Sequence, residues 1–459
     1  MLLIRFMKNR STSRYAFSSV AVFTCVLAVL AGLLLFVLGL SLTAFAGVSS
    51  DLRFSKENST LLTEQKVTAS DGMTNSYFGS AVALNGPTAL IGADGDNSFK
   101  GAAYLFTKLN GVWSQGQKLT ASDGMPGDEL GYRVTLGDAT LVVGAFTATV
   151  NGNSSQGAAY VFSKSNNTWT ESQKLTANDG GLFDNFGAAV ALDGGTIVVA
   201  ANGATVGGNP AQGAVYVFTL SNGSWTQTQK LAANDGAAYD NFGLSVALQG
   251  PIILIGSPRA AVGNNAAQGA VYVFTQSNGT WTQTQKLVAS DGAANDSFGE
   301  SVAISNSIAL VGAYNATVNN HPGQGAAYVF TNSNGSWGET QKLTASDGTT
   351  NANFGNALAL DSTRALIGAD VSTVGNNTSQ GKAYVFEESN VNWNQSHTLV
   401  ASDGATDDFF GAAVTLDGPT LLVSTPHPTI GGNTYQGAAY FYALRDIPTP
   451  RPRPTPAPR

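Results

Sequence analysis

The sequence predicts an all-β fold, a seven-bladed β-propeller built from four-stranded antiparallel blades. Three observations support this prediction: seven repeats with a period of 56 residues, four strand-like segments in each repeat, and one further strand-like segment ahead of the first repeat. The 459-residue chain contains 53 Gly and only 12% charged residues. Such a composition is typical of an ordered, turn-rich protein rather than a disordered or coiled-coil one.

The repeats are defined by a tyrosine that recurs at constant spacing. It lies in GAAYVF-like segments, every 56 residues, at Tyr104, Tyr160, Tyr216, Tyr272, Tyr328, Tyr384 and Tyr440. A unit of this size cannot bury both of its faces alone, so neighbouring units must stack against each other. Seven units around an axis close into a ring that leaves only short sheet edges.

Each of the first six repeats contains four short segments that fit β-strands. In the third repeat they cover residues 186–192, 196–201, 213–218 and 225–233, which are rich in Val, Tyr, Phe and Thr. This composition, bounded by Gly, Asn and Asp and without a helical hydrophobic period, favours strands. Asn222-Gly223 joins the third and fourth segments, and this pair predicts a tight hairpin with positive φ angles.

The first and last repeats indicate how the ring closes. Six tryptophans mark fourth strands, at Trp113, Trp169, Trp225, Trp281, Trp337 and Trp393. The last repeat ends near residue 444 without a fourth strand, whereas residues 61–69 form an isolated strand-like segment with Leu61 at the Trp position. We predict that this N-terminal strand (residues 61–69) pairs with the last blade and closes the ring. A frayed N-terminal repeat is the alternative.

The two ends of the chain differ in composition from the repeats, which predicts three regions. Residues 1–50 form a signal peptide or an N-terminal membrane anchor, residues 51–446 the propeller, and residues 447–459 a Pro-rich basic tail. Residues 20–40 carry no charge and are long enough to span a bilayer, whereas Ala44-Phe45-Ala46 fits a cleavage site. Both alternatives predict export, to the medium or to the cell surface, with membrane anchoring by residues 20–40 if they are not cleaved.

Charge and cysteine content narrow the possible partners and source. Residues 1–46 and 447–459 contain seven of the 23 basic residues and none of the 30 acidic ones. The remaining propeller is therefore strongly acidic and should repel nucleic acid. Cys25 is the only cysteine, so the propeller has no disulfide, which favours a bacterial source. We expect a monomer that binds a protein or glycan.

A two-residue FG motif recurs at the start of the first strand. It is present at Phe78-Gly79, Phe186-Gly187, Phe242-Gly243, Phe298-Gly299, Phe354-Gly355 and Phe410-Gly411, and second strands end in GAD, GAF, GSP or GAY. Over residues 61–444 these motifs resemble FG-GAP repeats, which form the seven-bladed propeller of integrin α subunits and of many bacterial surface proteins. The resemblance implies a cell-surface binding or adhesion module. Two repeats depart from it, with Leu130-Gly131 in the second and Ala200-Ala201-Asn202 in the third.

Calcium is the cofactor that this resemblance brings into question. Many FG-GAP blades carry an Asp-rich calcium loop between their first two strands, because a hard cation needs several closely spaced oxygens. Here the corresponding links are short turns, as at residues 85–88 and 193–196. We therefore expect no cofactor and no calcium loop of the family's type.

A conserved spacing of aspartates leaves one weaker cation site open. An Asp-Gly pair precedes each first strand, and its aspartates are Asp71, Asp123, Asp179, Asp235, Asp291, Asp347 and Asp403. A structural interpretation is that each aspartate fixes its turn by bonding the backbone. The alternative is a weak calcium site shared with a second aspartate five residues later, such as Asp128.

The expected binding surface is the face that carries the loops after the second strands. These loops are long and differ between repeats, and functional residues are frequent on such loops. Candidate binding residues there are Asp94, Asp96, Phe146, Asn202, Tyr314, His321 and His427. We predict a binding or adhesion function and no catalytic residues, because no known catalytic motif occurs. The alternatives are a glycan-active hydrolase or lyase and a structural surface protein without a specific ligand.

Overall fold

The structure, a computed structural model, describes residues 63–444. Within this range 28 strands form seven four-stranded antiparallel sheets, and the first strands of neighbouring sheets contact each other in a closed ring. The predicted all-β, seven-bladed propeller is therefore confirmed. The predictions for residues 1–50, Leu61 and residues 447–459 concern parts of the chain outside the described residues. Between residues 63 and 444, no helix has the length and apolar character needed to cross a membrane.

Blades 1 to 6 are meanders of four consecutive strands. Blade 1 contains β2 (Phe78–Asn85), β3 (Thr88–Ala93), β4 (Ala102–Leu109) and β5 (Val112–Leu119), with one short helical turn, α1 (Asp96–Phe99), after β3. Blade 2 contains β6 (Arg133–Leu136), β7 (Thr140–Ala145), β8 (Ala158–Ser165) and β9 (Thr168–Leu175). Blade 3 contains β10 (Phe186–Asp193), β11 (Thr196–Ala201), β12 (Ala214–Ser221) and β13 (Ser224–Leu231).

The next three blades repeat this order. Blade 4 contains β14 (Ser245–Gln249), β15 (Ile252–Ser257), β16 (Ala270–Ser277) and β17 (Thr280–Leu287). Blade 5 contains β18 (Val302–Ser305), β19 (Ile308–Ala313), β20 (Ala326–Ser333) and β21 (Ser336–Leu343). Blade 6 contains β22 (Leu358–Leu360), β23 (Arg364–Ala369), β24 (Lys382–Ser389) and β25 (Asn392–Leu399).

Blade 7 combines the two ends of the propeller sequence. It contains β26 (Val414–Asp417), β27 (Thr420–Thr425), β28 (Ala438–Ala443) and, as its outer strand, β1 (Thr63–Val67). β1 pairs antiparallel with β28, from Thr63 opposite Ala443 to Val67 opposite Ala439. The predicted closure by the N-terminal strand is therefore confirmed.

The hairpins between third and fourth strands have the predicted geometry. In blade 3, Ser221 pairs with Ser224 across a two-residue turn. Asn222 and Gly223 occupy that turn with φ angles of 50° and 80°. Positive φ at both central residues matches the twist of the flanking strands, which explains the recurring Asn-Gly pair.

The hydrophobic core lies mainly between blades. Val271 of blade 4 belongs to the same buried cluster as Val311 and Trp337 of blade 5. The FG phenylalanine of blade 5, Phe298, is fully buried there and meets the Tyr328 ring edge-on at 5.5 Å. Each blade thus completes the core of its neighbour, as expected for units that cannot bury both faces alone.

The glycines of the repeated motifs allow neighbouring backbones to approach closely. Gly355, the FG glycine of blade 6, has a φ of 94°. Its N–H donates to the Gly368 carbonyl at 2.9 Å. A Cβ placed on Gly312 of blade 5 would lie 2.1 Å from the Gly355 carbonyl oxygen. An added Cβ at Gly312 would therefore force the two packed backbones to shift. Blades 3 and 7 carry Ala200 and Ser424 at this position, so the requirement for glycine holds blade by blade.

A double hydrogen bond joins the outer strands of neighbouring blades. Between blades 4 and 5, Gln285 Nε2 donates to the Trp337 carbonyl at 2.7 Å, and Gln285 Oε1 accepts the Trp337 N–H at 2.9 Å. The same arrangement joins Gln65–Trp113, Gln117–Trp169, Gln173–Trp225, Gln229–Trp281 and Gln341–Trp393. At the junction of blades 6 and 7, His397 replaces the glutamine, and the Tyr442 hydroxyl of blade 7 donates to the Val400 carbonyl, directly after β25 of blade 6, at 3.1 Å.

Candidate functional site

The propeller has two faces with different loops. The upper face carries the links into the blades and the loops after the second strands, whereas the lower face carries the turns after the first and third strands. All candidate residues predicted from the sequence belong to elements of the upper face.

Each Asp-Gly aspartate is bonded to a lysine and faces a tyrosine of its own blade. In blade 5, Asp291 accepts a hydrogen bond from the Tyr328 hydroxyl at 2.9 Å and forms an ion pair with Lys342 at 2.7 Å. Burial alone would raise the pKa of Asp291, but the hydrogen bonds from Lys342 and Tyr328 hold this pKa below its usual value. The equivalent ion pairs are Asp71–Lys118, Asp123–Lys174, Asp179–Lys230, Asp235–Lys286, Asp347–Lys382 and Asp403–Lys66.

Blade 6 makes this ion pair from a different strand. Thr398 occupies the position that is lysine in the other blades, and Lys382 on the adjacent strand β24 replaces a repeated Ala. The Lys382 ammonium lies 2.7 Å from the Asp347 carboxylate. Two differences within one blade thus restore a single contact, which indicates that the paired carboxylate stabilises the blade.

The second aspartate of each pair makes the bond across the turn. In blade 5, Asp296 Oδ2 accepts the Ala293 N–H at 2.8 Å. The same bond is made by Asp128, Asp184, Asp240 and Asp408. A backbone hydrogen bond also contributes to the lowered pKa of the first aspartate, Asp291, so both aspartates of a pair contact the backbone of their link. Over the described range 63–444, no three His, Cys, Asp or Glu side chains are grouped to hold a metal ion; the absence of a calcium effect stays a prediction.

The long loops of blades 2 to 7 share one conformation, and we call them clasps. In blade 2, Val150 and Asn153 form an antiparallel bridge, and Asn153 Nδ2 donates to Gln156 at 3.0 Å. The Gln156 carbonyl then accepts the Phe186 N–H of blade 3 at 2.8 Å. Equivalent bridges are Val206–Asn209, Val262–Asn265, Val318–His321, Val374–Asn377 and Ile430–Asn433. The sequence suggests these loops as binding segments because they differ between repeats. In the structure they share one conformation and join neighbouring blades.

Several predicted binding residues take part in this framework. His321 occupies the asparagine position of its clasp, with Nδ1 3.3 Å from Gln324 Oε1. Asp96 is only 2% exposed and forms an ion pair with Lys118 at 2.8 Å. Asn202 is also buried. The structure thus places Asp96 and Asn202 away from the ligand-accessible surface on which the sequence suggests them.

Four charged residues act electrostatically on one another through Arg133 and Asp94, and we call them the axial cluster: Asp94, Glu129, Arg133 and Glu300. Arg133 and Glu300 line a cavity of about 230 Å³ that is enclosed by the first strands of all seven blades. The Arg133 guanidinium lies 4.4 Å from the centre of the Tyr132 ring, which packs 4.1 Å from Phe146. Tyr314 is half-buried at the equivalent position in blade 5.

Within residues 63–444, the carboxylates of the axial cluster form no ion pair, unlike the Asp-Gly aspartates. Burial raises the pKa of Asp94 to about 6, against the opposing charge of Arg133. Burial and the Asp94 charge raise the pKa of Glu129 to about 7. Burial also raises the pKa of Glu300. Shifted carboxyl groups beside a cavity are common at functional sites.

Five aromatic side chains meet on the upper face where blades 7 and 1 join, and we call them the aromatic patch: Tyr77, Phe99, Phe409, His427 and Tyr435. Ring centres lie 5.9 Å apart for Tyr77 and Tyr435, and 6.1 Å for Tyr77 and Phe99. His427 lies 4.7 Å from Phe409, 5.1 Å from Tyr435 and 5.6 Å from Tyr77. Phe99 and Tyr435 are 39% and 44% exposed. Of the predicted candidates, only His427 belongs to this patch.

The backbone beneath the patch is in an unfavourable conformation for aromatic residues. Tyr77, Phe99, Phe409 and Tyr435 have φ angles of 51°, 62°, 62° and 54°. Left-handed backbone costs a bulky residue on the order of 1 kcal/mol or more, whereas Asn tolerates it better. In other blades the Tyr77 and Phe409 position is Glu129, Asn185, Asn241, Ser297 and Asn353, and the Tyr435 position is Ser155, Ala211, Ala267, Gly323 and Ser379. In blade 1 the Tyr435 position is Phe99 itself, so aromatic side chains at these positions are confined to blades 7 and 1 and are not required by the repeat.

The polar atoms of the patch are free within the described part of the chain. No hydrogen bond to residues 63–444 is made by the hydroxyls of Tyr77 and Tyr435 or by the ring nitrogens of His427. Burial lowers the pKa of His427 despite the nearby negative charge of Asp407, so the imidazole is neutral at pH 7. The patch therefore presents uncharged rings together with unpaired donors and acceptors.

The blades, their closure and their inter-blade contacts define a repeat protein of the seven-bladed propeller class. The FG-GAP repeat family matches residues 62–106, 113–162, 169–218, 225–274, 281–330, 337–386 and 393–442. The chain therefore belongs to the FG-GAP repeat family, as the sequence motifs suggest. A comparison with curated proteins finds no match. The family's propeller fold fits a surface binding module in general and suggests an extracellular protein.

Proposed function

We propose that this protein is exported and works as a cell-surface binding or adhesion module that holds a protein or glycan ligand on its upper face. The aromatic patch carries this proposal. Its exposed rings contribute little to the core, yet they occupy backbone positions where smaller residues fit better. Such strained, junction-specific side chains are common at ligand-binding sites, and exposed aromatic residues are enriched in binding surfaces.

The wider upper face supports the same assignment. Large apolar side chains are exposed on its links into blades 1 to 4, at Met73, Met125, Leu182, Phe183 and Tyr239. These residues extend from the aromatic patch along one arc of the propeller. The corresponding links into blades 5 and 6 carry Ala293, Ala294 and Asn295, and Thr349, Thr350 and Asn351. The ligand-facing surface of the proposal is thus centred on blades 7 and 1.

A patch variant with residues taken from other blades tests the proposal. Tyr77→Asn, Phe409→Asn and Tyr435→Ala introduce residue types that the propeller already holds at equivalent positions, so the fold should persist. Binding of the full-length protein to cell surfaces, immobilised proteins and glycans should fall by roughly tenfold or more, because a few central residues dominate most binding energies. The matched control changes exposed lower-face residues, Leu109→Ser and Val391→Asn. Equal binding by the patch and control variants would refute the proposal.

Export is tested independently of binding. The propeller should be released to the medium, or should be cleaved by protease added to intact producing cells. A propeller that is retained and protected inside intact cells would contradict the proposed location.

The axial cluster favours a second candidate function, a glycan-active hydrolase or lyase. Asp94 and Glu129, with pKa values raised to about 6 and 7, are suited to general acid catalysis near neutral pH. Glycan cleavage that is abolished by Asp94→Asn, with surface binding preserved, would establish this candidate. Absence of both cleavage and binding would instead leave a structural surface protein.

A further inference from the structure

We propose that the aromatic patch is a carbohydrate-binding site for a neutral glycan, an inference that rests on the proposed binding function and names its ligand class. The patch combines aromatic ring faces with unpaired hydroxyl and imidazole groups. A sugar ring presents apolar C–H faces and polar hydroxyl edges. The C–H faces can stack on the aromatic rings, and the sugar hydroxyls can form hydrogen bonds with the tyrosine hydroxyls and the imidazole. Both components of the patch thus match a sugar ring.

The arrangement of the rings favours an extended ligand on an open surface. Tyr77 and His427 are half-buried and contact each other at 5.6 Å, whereas Phe99 and Tyr435 are more exposed beside them. Phe99 contacts Tyr77 on one side, and Phe409 contacts His427 on the other. The patch is thus a row of contacting rings from blade 1 to the link into blade 7, which suits several consecutive sugar units.

Backbone hydrogen bonds hold the two halves of the patch together. The Tyr77 N–H donates to the Tyr435 carbonyl at 3.0 Å, and the Asn75 N–H donates to the Thr434 carbonyl at 2.9 Å. The next residue, Phe78, donates its N–H to the Gln436 carbonyl at 2.9 Å. Rings fixed in this way lose little conformational entropy when a ligand binds, which favours weakly interacting ligands such as sugars.

Charge argues for a neutral glycan over an acidic one. Asp407 is the charged residue that acts on His427, and Asp94 and Tyr435 act on the Tyr77 hydroxyl. The ionisable groups that act on the patch are therefore acidic ones, and no described lysine or arginine is ion-paired or stacked with its rings. A uronic acid or sulfated sugar would be repelled. A neutral sugar avoids this repulsion and can still accept and donate hydrogen bonds.

Affinity electrophoresis of the full-length protein tests this inference directly. The probes are neutral polysaccharides (xyloglucan, β-glucan, mannan, dextran and starch), acidic polysaccharides (alginate and hyaluronan) and immobilised proteins. We expect retardation by at least one neutral polysaccharide, with little change between low and high salt because no ion pair is involved. Tyr435→Ala together with Phe409→Asn should weaken that binding by roughly tenfold or more.

Matched controls come from exposed apolar residues on the lower face, outside the proposed binding surface. Leu109 and Val391 are 71% and 83% exposed. Leu109→Ser together with Val391→Asn should leave neutral-glycan binding unchanged. Similar melting temperatures for both double variants would exclude unfolding as the cause of a loss.

Each other outcome has a distinct meaning. Patch-dependent capture of proteins alone would overturn the carbohydrate inference while preserving the proposed binding function. Binding of acidic polysaccharides alone, or neutral-glycan binding that persists in the patch variant, would also overturn the inference. Failure to bind any cell surface, protein or glycan would contradict the proposed function itself.

Discussion

Removal of one inter-blade double hydrogen bond should measurably weaken the ring. Gln285→Met keeps a similar side-chain volume but removes both bonds to the Trp337 backbone, which measure 2.7 and 2.9 Å. Each bond contributes about 1 kcal/mol net, so the free energy of unfolding should fall by about 2 kcal/mol. For roughly 380 folded residues, an unfolding entropy of about 2 cal/mol/K per residue converts this loss to a Tm decrease of about 2–3 °C.

The assay is thermal unfolding followed by circular dichroism, with Gln276→Met as the matched control. Gln276 lies on β16, beside the strand of Gln285, and its side chain makes no hydrogen bond within residues 63–444. A Tm for Gln285→Met that equals that of Gln276→Met would refute the reasoning.

A second substitution at the same position separates hydrogen bonding from packing. In Gln285→Glu one carboxylate oxygen can accept from the Trp337 N–H, but the other replaces the donor and faces the Trp337 carbonyl oxygen, which is also an acceptor. The folded state should therefore prefer the protonated acid, which raises the pKa of the new carboxyl above its unfolded value of about 4.3. The destabilisation relative to wild type should grow as pH rises above about 4 and shrink below it. A pH-independent difference would contradict this explanation.

Further predictions concern the ion pairs, the inter-blade glycines and calcium. Lys382→Ala should lower stability by about 0.5–1 kcal/mol, the usual range for a partly exposed pair, and Thr398→Lys in the same chain should restore it; absence of rescue in urea unfolding would contradict the pairing. The pKa values of the Asp-Gly aspartates are lowered, so their contribution to the free energy of unfolding is present above pH 3.8 and should be lost as pH falls further. In an acid titration, a Lys342→Met variant should therefore lose less stability than wild type, because its ion pair is already absent. Gly312→Ala should cost about 1–3 kcal/mol through overpacking, whereas Gly338→Ala, with no atom within 4 Å of the added Cβ, should not. Millimolar calcium should leave Tm unchanged, and a rise would revive the weak cation sites.

The architecture could be predicted because the same strand and turn pattern occurs in seven repeats of the sequence. The Asn222-Gly223 hairpin, the four-strand meander and the isolated segment at residues 61–69 each follow from local composition and spacing. The structure adds the reason for the motifs themselves. FG glycines such as Gly355 and second-strand glycines such as Gly312 permit close backbone contact between blades, a relation between distant residues that one repeat alone does not reveal.

The candidate site is harder to predict from the sequence, because the length and the sequence variation of a loop do not show whether its residues are exposed to a ligand. The loops after the second strands differ in sequence, yet the clasp bridge recurs from Val150–Asn153 to Ile430–Asn433. Polar residues of these loops form hydrogen bonds within the clasp and with the next blade. The informative signal was a change of residue type within one repeat position, as where Tyr77 and Phe409 replace Asn. Only the positive φ angles show that this exchange is unfavourable and therefore meaningful.

Ring closure and the candidate binding site depend on the same junction. Tyr77 follows the closing strand β1, whereas Tyr435 belongs to the clasp of blade 7 at the other end of the propeller sequence. Their contact exists because β1 pairs with β28 and so brings the link of residues 68–77 against that clasp. The other six junctions join blades that are consecutive in sequence. At the Tyr435 position the clasps of blades 2 to 6 carry Ser, Ala or Gly, whereas blade 1 carries Phe99. The patch is thus centred on the junction at which both ends of the propeller sequence meet, and a propeller that failed to close would separate Tyr77 and Phe99 from the three rings of blade 7.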